Sequence, residues 1–196
     1  MSLNYRIFKS LLENFKFFEN KPHIGVGVSG GPDSMALAYL LNKWIKYKKG
    51  KLTAIVFDHG IRHNSKIESL EVKKMLTELD IYSVVIKPNK NRLIKKNMNN
   101  ARDNRFEGII RICKKNNILH LFLGHHFDDN LETYLMRKIN GSNLDGLESI
   151  NKTAYFKNIQ ILRPFIEIDK KSILNFNKKN KLYFINDPSN KDVNYT

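Results

Sequence analysis

An apolar run, His23–Val28, leads through Ser29-Gly30-Gly31-Pro32-Asp33-Ser34 into Met35–Ile45, where Leu37, Leu40, Leu41, Trp44 and Ile45 recur at helical spacing. The chain is thereby committed to a buried strand, a two-glycine turn and a helix in immediate succession. Backbone N–H groups of a Gly-Gly turn can approach an anion closely, because no Cβ intervenes. The helix start behind them adds unpaired donors and the positive end of a dipole. The hydroxyls of Ser29 and Ser34 add further donors. The segment reads as a cradle for a phosphate. It is not the Walker type, which ends in Gly-Lys-Ser/Thr, since the loop has no lysine. The plainer reading is a glycine-rich turn capped by Asp33 or Ser34.

The rest of the chain alternates in the same way. Candidate strands are His23–Val28, Leu52–Phe57, Ile81–Ile86, Ile118–Leu123 and Ile159–Leu162. Their near-continuous apolar character suits strands covered on both faces. Between them lie helical patterns. Ser65 and Glu68 resemble a capping box, followed by Val72, Met75, Leu76 and Leu79 on one face. Further helices are expected over Ala101–Asn116, Leu131–Ile139 and Asp169–Asn180, with Lys87–Asn100 as a basic loop. Near the N-terminus, Ile7, Leu11, Phe15 and Phe18 form an amphipathic pattern, read as a helix packed on the domain rather than on a membrane. The rhythm predicts an α/β fold: one domain over residues 1–196, a mainly parallel five-stranded sheet, and helices on both faces. Ligands of such sheets bind at the carboxyl ends of the strands. The phosphate loop, Asp58-His59 and Gly124-His125 all follow strands and should converge there.

Composition narrows the partners. Lys and Arg number 34 against 19 Asp and Glu, a net charge of +15. Such an excess points to a polyanion, by default nucleic acid. Compositional bias toward Lys, Asn and Ile accounts for part of it, and less easily for Arg102, Arg105, Arg137 and Arg163. The single cysteine, Cys113, excludes an intrachain disulfide and a multi-cysteine metal site, and falls on an apolar face with Phe106, Ile109 and Ile110. No apolar run reaches transmembrane length and the N-terminus lacks a signal-peptide pattern, so the chain reads as cytoplasmic with no membrane partner.

Five further segments carry polar chemistry. They are Phe57-Asp58-His59-Gly60-Ile61-Arg62, Ala101-Arg102-Asp103-Asn104-Arg105-Phe106, Gly124-His125-His126-Phe127-Asp128-Asp129-Asn130-Leu131-Glu132-Thr133, Gly141-Ser142-Asn143-Leu144-Asp145-Gly146-Leu147 and Leu162-Arg163-Pro164-Phe165. Together with Ser29–Ser34, and with Asp187-Pro188-Ser189-Asn190 near the end, they resemble the synthetase domain of the tRNA(Ile)-lysidine synthase family, within the PP-loop ATP pyrophosphatase superfamily. The resemblance runs from about residue 24 to the end of the chain. It implies a PP-loop, adenine nucleotide α-hydrolase-like fold. It also implies ATP and Mg²⁺ as cofactors, and as partners free L-lysine and an isoleucine tRNA with a CAU anticodon. The implied product is lysidine at the wobble cytidine, which turns an AUG-reading anticodon into an AUA-reading one.

The resemblance implies two steps. The cytosine carbonyl oxygen attacks the α-phosphate of ATP and pyrophosphate leaves. The ε-amine of lysine then attacks the ring carbon and AMP leaves. ATP contacts fall to Ser29, Gly30, Gly31, Pro32, Asp33, Ser34, Asp58, His59 and Gly124. Asp33 can help hold Mg²⁺, and Arg163 can stabilise the pentavalent phosphate. Free lysine is neutral in only about one molecule in 2,500 at pH 7, so the second step needs a base and an anionic seat. Asp129 and Glu132, three apart on one helix face, are the candidates. Carboxylates that bind an ammonium also favour its charged form, so the proton has to move once the amine is aligned. Arg102 and Arg105 are candidates for RNA contact.

Plainer roles remain open for each. Asp129 and Glu132 can be an N-cap and N3 pair. His125, His126 and Asp129 can be weighed as transition-metal ligands, although no resident metal is assigned. Asp58 can cap a loop, and Arg102 and Arg105 can be solvated. Gly141 can be a helix C-cap, and Asp187–Asn190 a turn. A tRNA 2-thiocytidine synthase shares the loop but needs a Cys-x-x-Cys pair for an iron–sulfur cluster. One cysteine leaves no such pair, so no cluster is expected. A different class of reading is a catalytically dead RNA-binding fragment. The chain stops at Tyr195-Thr196, where the family continues with basic residues and, in larger members, C-terminal tRNA-binding domains. That bears on tRNA docking more than on ATP chemistry.

Overall fold

Strands β1 (His23–Val28), β2 (Lys51–Phe57), β3 (Ser83–Ile86), β4 (His120–Phe122), β5 (Thr153–Phe156) and β6 (Ile159–Leu162) form one sheet in the order β3-β2-β1-β4-β6-β5. The structure, a computed structural model, describes residues 2–15, 18–57, 65–86, 98–132 and 150–185, the side chains of 65–66 and 98–106 excepted. Four neighbour pairs are parallel, with Ile24 opposite Leu52 and Val28 opposite Val56 at the centre. The fifth pair, β5 with β6, is antiparallel.

The sheet thus has six strands where five were expected. The extra strand is short, lies at the edge and leaves Tyr155 and Phe156 exposed, so it shows no buried apolar run. It turns into β6 at Lys157 and Asn158, with φ of 49° and 67°. Consecutive positive φ angles give the tight turn whose twist suits a hairpin.

The helices are α1 (Tyr5–Glu13), α2 (Pro32–Tyr47), α3 (Ser65–Glu78), α4 (Met98–Lys115), α5 (127–132) and α6 (Lys170–Lys179). They cover both faces, following the alternation of strand side chains. Ile24, Val26, Val28, Leu52, Ala54, Val56, Phe122 and Leu162 point to one face. There they meet Phe8 and Leu12 of α1, Leu37, Leu40, Leu41 and Trp44 of α2, Val72 and Leu76 of α3, and Ile173 and Phe176 of α6. Ile55, Leu121, Ile159 and Ile161 point to the other and meet Ile109, Ile110 and Cys113 of α4. The N-terminal helix is therefore packed on the domain, capped by Asn4 Oδ1 accepting from Ile7 N at 3.0 Å. It ends at Glu13, and Phe15 and Phe18 pack on the core beyond it. Cys113 is fully buried, and burial pushes its thiol up to about 12. No helix among the described residues is long and apolar enough to cross a membrane.

The strand order positions the site. From β1 the chain moves outward to β2 and β3, then returns to place β4 on the other side of β1. The turns after β1 and β4 leave in opposite directions, opening a crevice at their carboxyl ends.

Candidate active site

The phosphate loop fills one side of that crevice. Gly30 has φ +90°, and a Cβ there would lie 2.5 Å from Val72 Cγ2. Only glycine takes this conformation without strain. Gly31 is the N-cap of α2 and Pro32 its first residue, a position where the missing N–H costs nothing. The first intrahelical bond runs from Met35 N to Gly31 O at 3.1 Å. The amides of Asp33 and Ser34 precede it and are the helix's outward donors.

Ser34 shapes the loop from inside. Its hydroxyl donates to Gly31 O at 3.0 Å and accepts from Ser29 N at 3.2 Å, with Ser29 Oγ another 3.2 Å away. The Ser34 side chain is buried and its hydroxyl is engaged within the loop, beside the open backbone amides of the α2 start.

The turn after β4 fills the other side. A Cβ on Gly124 would lie 3.2 Å from Asp33 C and Ser34 N, so glycine lets the two loops touch backbone to backbone. Beyond it His126 is buried, and its Nε2 lies 3.7 Å from both Asp33 Oδ1 and Asp129 Oδ2. Its Nδ1 lies 3.4 Å from Asp128 Oδ2. Asp128 Oδ2 also accepts from Lys170 N at 2.8 Å, which ties the start of α6 to this turn. Asp129 Oδ2 accepts from His126 N at 2.9 Å.

Helix α5 begins at 127, four residues before the expected Leu131. Asp129 is accordingly its third residue and caps backward onto His126, rather than serving as an N-cap paired with Glu132. That bond also fixes the direction of the Asp129 carboxylate. Glu132 is exposed on the next turn of the same helix.

Asp33 carries the main electrostatic load. Burial raises its carboxyl above the usual range, the neighbouring Asp129 adding to the rise, while His126 and Lys170 act against it. Its Oδ1 is buried with no hydrogen-bond partner. An orphaned carboxylate oxygen beside a phosphate cradle fits a hard cation such as Mg²⁺, which keeps most of its waters and takes few protein ligands. Among the described residues no cluster of three or more His, Cys, Asp or Glu is arranged to hold a metal by itself.

Arg163 follows β6 at the same edge. Its Nε donates to His125 Nδ1 at 3.3 Å and its Nη1 to Asn151 O at 2.7 Å. Since a guanidinium only donates, His125 Nδ1 accepts and the ring proton is on Nε2. Asn130 Oδ1 accepts from Ile150 N at 2.6 Å, drawing the residues before β5 onto α5.

The structure therefore brings together Ser29–Ser34, Gly124 with Asp129, and Arg163 from three distant parts of the chain, while Glu132 is exposed on α5. Asp58 and His59, the Gly141–Leu147 segment and Asp187–Asn190 lie outside the described residues. Arg102 and Arg105 fall in α4, but their side chains lie outside the described ones. Sequence reasoning missed His126 as the bridge between the two loops, having weighed it only as a metal ligand. It also missed Lys170. The signal was topological: the helix after β6 has to start at the carboxyl edge.

Residues 3–196 match the family described as the PP-loop domain. The tRNA(Ile)-lysidine synthase of Orientia tsutsugamushi (strain Boryong) is 32% identical over 184 residues, 94% of this chain and 42% of that protein. That of Bacillus cereus (strain ATCC 14579) is 36% identical over 183 residues, 91% of this chain and 38% of that protein. The chain spans about two fifths of the length of these curated relatives. Among solved structures, the U34-tRNA thiolase NcsA from Methanococcus maripaludis, with its 4Fe-4S cluster, superposes with a TM-score of 0.78 at 22% identity, over 94% of this chain and 65% of that one. An ammonia-dependent NAD synthetase from Campylobacter jejuni gives 0.57 at 13% identity, over 92% of this chain and 75% of that one. At such identities the likeness is one of fold.

Proposed function

The chain belongs to the PP-loop domain family, and on that premise we propose that it adenylates the wobble cytidine of a CAU-anticodon isoleucine tRNA with ATP and then exchanges AMP for free L-lysine. The observation that carries this reading is the contact of two loops at the β1/β4 crevice. There Asp33 of the phosphate loop and Asp129 of the next loop flank one buried imidazole at 3.7 Å each. We read Asp33 as the carboxylate of the nucleotide side and Asp129 as the acceptor for an incoming amine.

In the first step the loop amides and the α2 N-terminus take the phosphates, and Asp33 with the phosphate oxygens would hold Mg²⁺. Bound there, the ion would supply charge neutralisation for the phosphates. The guanidinium of Arg163, held at this edge by His125 and Asn151, would stabilise the phosphate that becomes five-coordinate. Asp58 and His59, outside the described residues, are the proposed adenosine contacts. In the second step Glu132 seats the lysine ammonium and Asp129, its direction fixed by His126 N, takes the proton as the amine attacks. Arg102 and Arg105, whose side chains lie outside the described ones, are the proposed RNA contacts. The reaction belongs to the cytoplasm, where tRNA, ATP and lysine meet.

The test is incorporation of radiolabelled lysine into CAU-anticodon isoleucine tRNA in the presence of ATP and Mg²⁺. Label recovered in a modified cytidine after nuclease digestion is the expected result. Absence of label with this tRNA, while the chain still binds ATP, would remove lysidine formation from the account.

A further inference from the structure

Three buried side-chain atoms among the described residues lack a hydrogen-bond partner: Asp33 Oδ1, His126 Nδ1 and Asn177 Oδ1. The first two belong to the site above. Asn177 lies on α6, is fully buried beside Ile173 and Phe176, and has had no role so far. Its Nδ2 donates to Pro32 O at 2.9 Å, across 145 positions of sequence. A second tether comes from the residues after α6, where Ile185 N donates to Gly30 O at 2.9 Å.

In a trans peptide the carbonyl and the next N–H point in opposite directions within one plane. Holding Gly30 O sets the opposite direction for Gly31 N–H, which donates to Ser29 Oγ at 3.4 Å within the loop. Holding Pro32 O likewise sets the direction of Asp33 N–H, one of the open donors at the start of α2. The Pro32–Asp33 peptide is the first in α2 with an N–H, because proline has none. Its direction decides whether the helix start presents a donor to an anion.

The choice of residue is informative. A buried amide oxygen left unsatisfied costs stability, whereas an apolar side chain of the same shape would not. Packing between α2 and α6 alone is better served by leucine. An asparagine retained at that cost is there for its donor.

We propose that Asn177 is a positioning residue for the phosphate loop, fixing the Pro32–Asp33 peptide so that its N–H meets a nucleotide phosphate. The proposal rests on the reading of the loop as a nucleotide site and adds a residue from outside every motif considered above.

The test compares the full chain with Asn177→Leu and Asn177→Ala. Three quantities are read: thermal midpoint, the NMR amide shift of Asp33, and affinity for Mg·ATP alongside adenosine. Asn177→Leu should keep or raise the midpoint and move the Asp33 amide shift. It should weaken ATP about tenfold, the size of one ordinary hydrogen bond, and leave adenosine within about twofold. Asn177→Ala, for use if the leucine variant does not fold, should show the same shift and affinity pattern with a lower midpoint. Equal losses of ATP and adenosine affinity, or an unmoved Asp33 shift with ATP affinity within about twofold of the parent, would overturn it. If the parent chain binds no ATP, the nucleotide reading fails by itself. The Asp33 amide shift then still decides whether Asn177 holds the peptide.

Discussion

At the scale of single residues, the site is governed by where carboxylates are buried. Asp33 has its carboxyl raised above its unfolded value, chiefly by burial. Its ionised form therefore opposes folding, and its contribution improves as pH falls through the interval between the raised and the unfolded value. Asp33→Asn is expected to be more stable than the parent at neutral pH, with the difference closing on acidification through that interval. Denaturant titrations at a series of pH values check the sign. The same substitution, or Asp33→Ala, should abolish tRNA-dependent pyrophosphate release while circular dichroism stays native. Asp129 has a different signature. Asp129→Asn keeps an oxygen for the His126 amide and removes the charge. It should slow lysine transfer by at least about a hundredfold, as loss of a general base does, while pyrophosphate release persists. Normal lysine transfer in that variant would leave Asp129 as a cap on α5.

At the scale of elements, two glycines decide whether the crevice can form. An alanine at Gly30 meets both a positive φ and Val72 Cγ2 at 2.5 Å. Gly30→Ala should cost about 1–3 kcal/mol, read from chemical denaturation, and should weaken ATP. Retention of full stability would mean that the loop reshapes freely. Much of this element level was legible in the sequence. β1 and β6 have the bounds that their apolar runs suggest, and α6 spans Lys170–Lys179 between its caps Asp169 and Asn180. Other ends were not. β4 is confined to His120–Phe122, inside the apolar run Ile118–Leu123, because ladder pairing with β1 and β6 sets its length. β3 begins at Ser83, since Ile81 instead packs in the core beside the end of α3. β5 escaped notice because an exposed edge strand needs no apolar pattern. The site divides in the same way. Motif residues were visible, His126 among them, while its place between Asp33 and Asp129, and the parts of Lys170 and Asn177, depend on which distant element arrives beside the loop.

At the scale of the whole molecule, the +15 charge and the switch-point crevice act on different parts of the problem. In the proposed function the crevice takes ATP, and the charge attracts a polyanion at long range. Binding of tRNA should fall steeply with salt, by about 0.7 to 0.9 log units per log salt for each phosphate contacted. Discrimination has to come from unstacked anticodon bases read on their edges. CAU-anticodon isoleucine tRNA and initiator methionine tRNA are therefore expected to bind with similar affinities and similar salt slopes. A preference of tenfold or more, about 1.4 kcal/mol, would show that base reading already operates at the binding step.

In the proposed function one crevice performs adenylation and then lysine transfer. The most direct measurement is the release of pyrophosphate and of AMP from labelled ATP with CAU-anticodon tRNA, with and without lysine. Pyrophosphate should appear with tRNA alone, because adenylation precedes the amine. AMP should stay on the RNA until lysine is added and then appear in step with lysine incorporation. Pyrophosphate release that ignores tRNA, or AMP release that ignores lysine, would contradict the account.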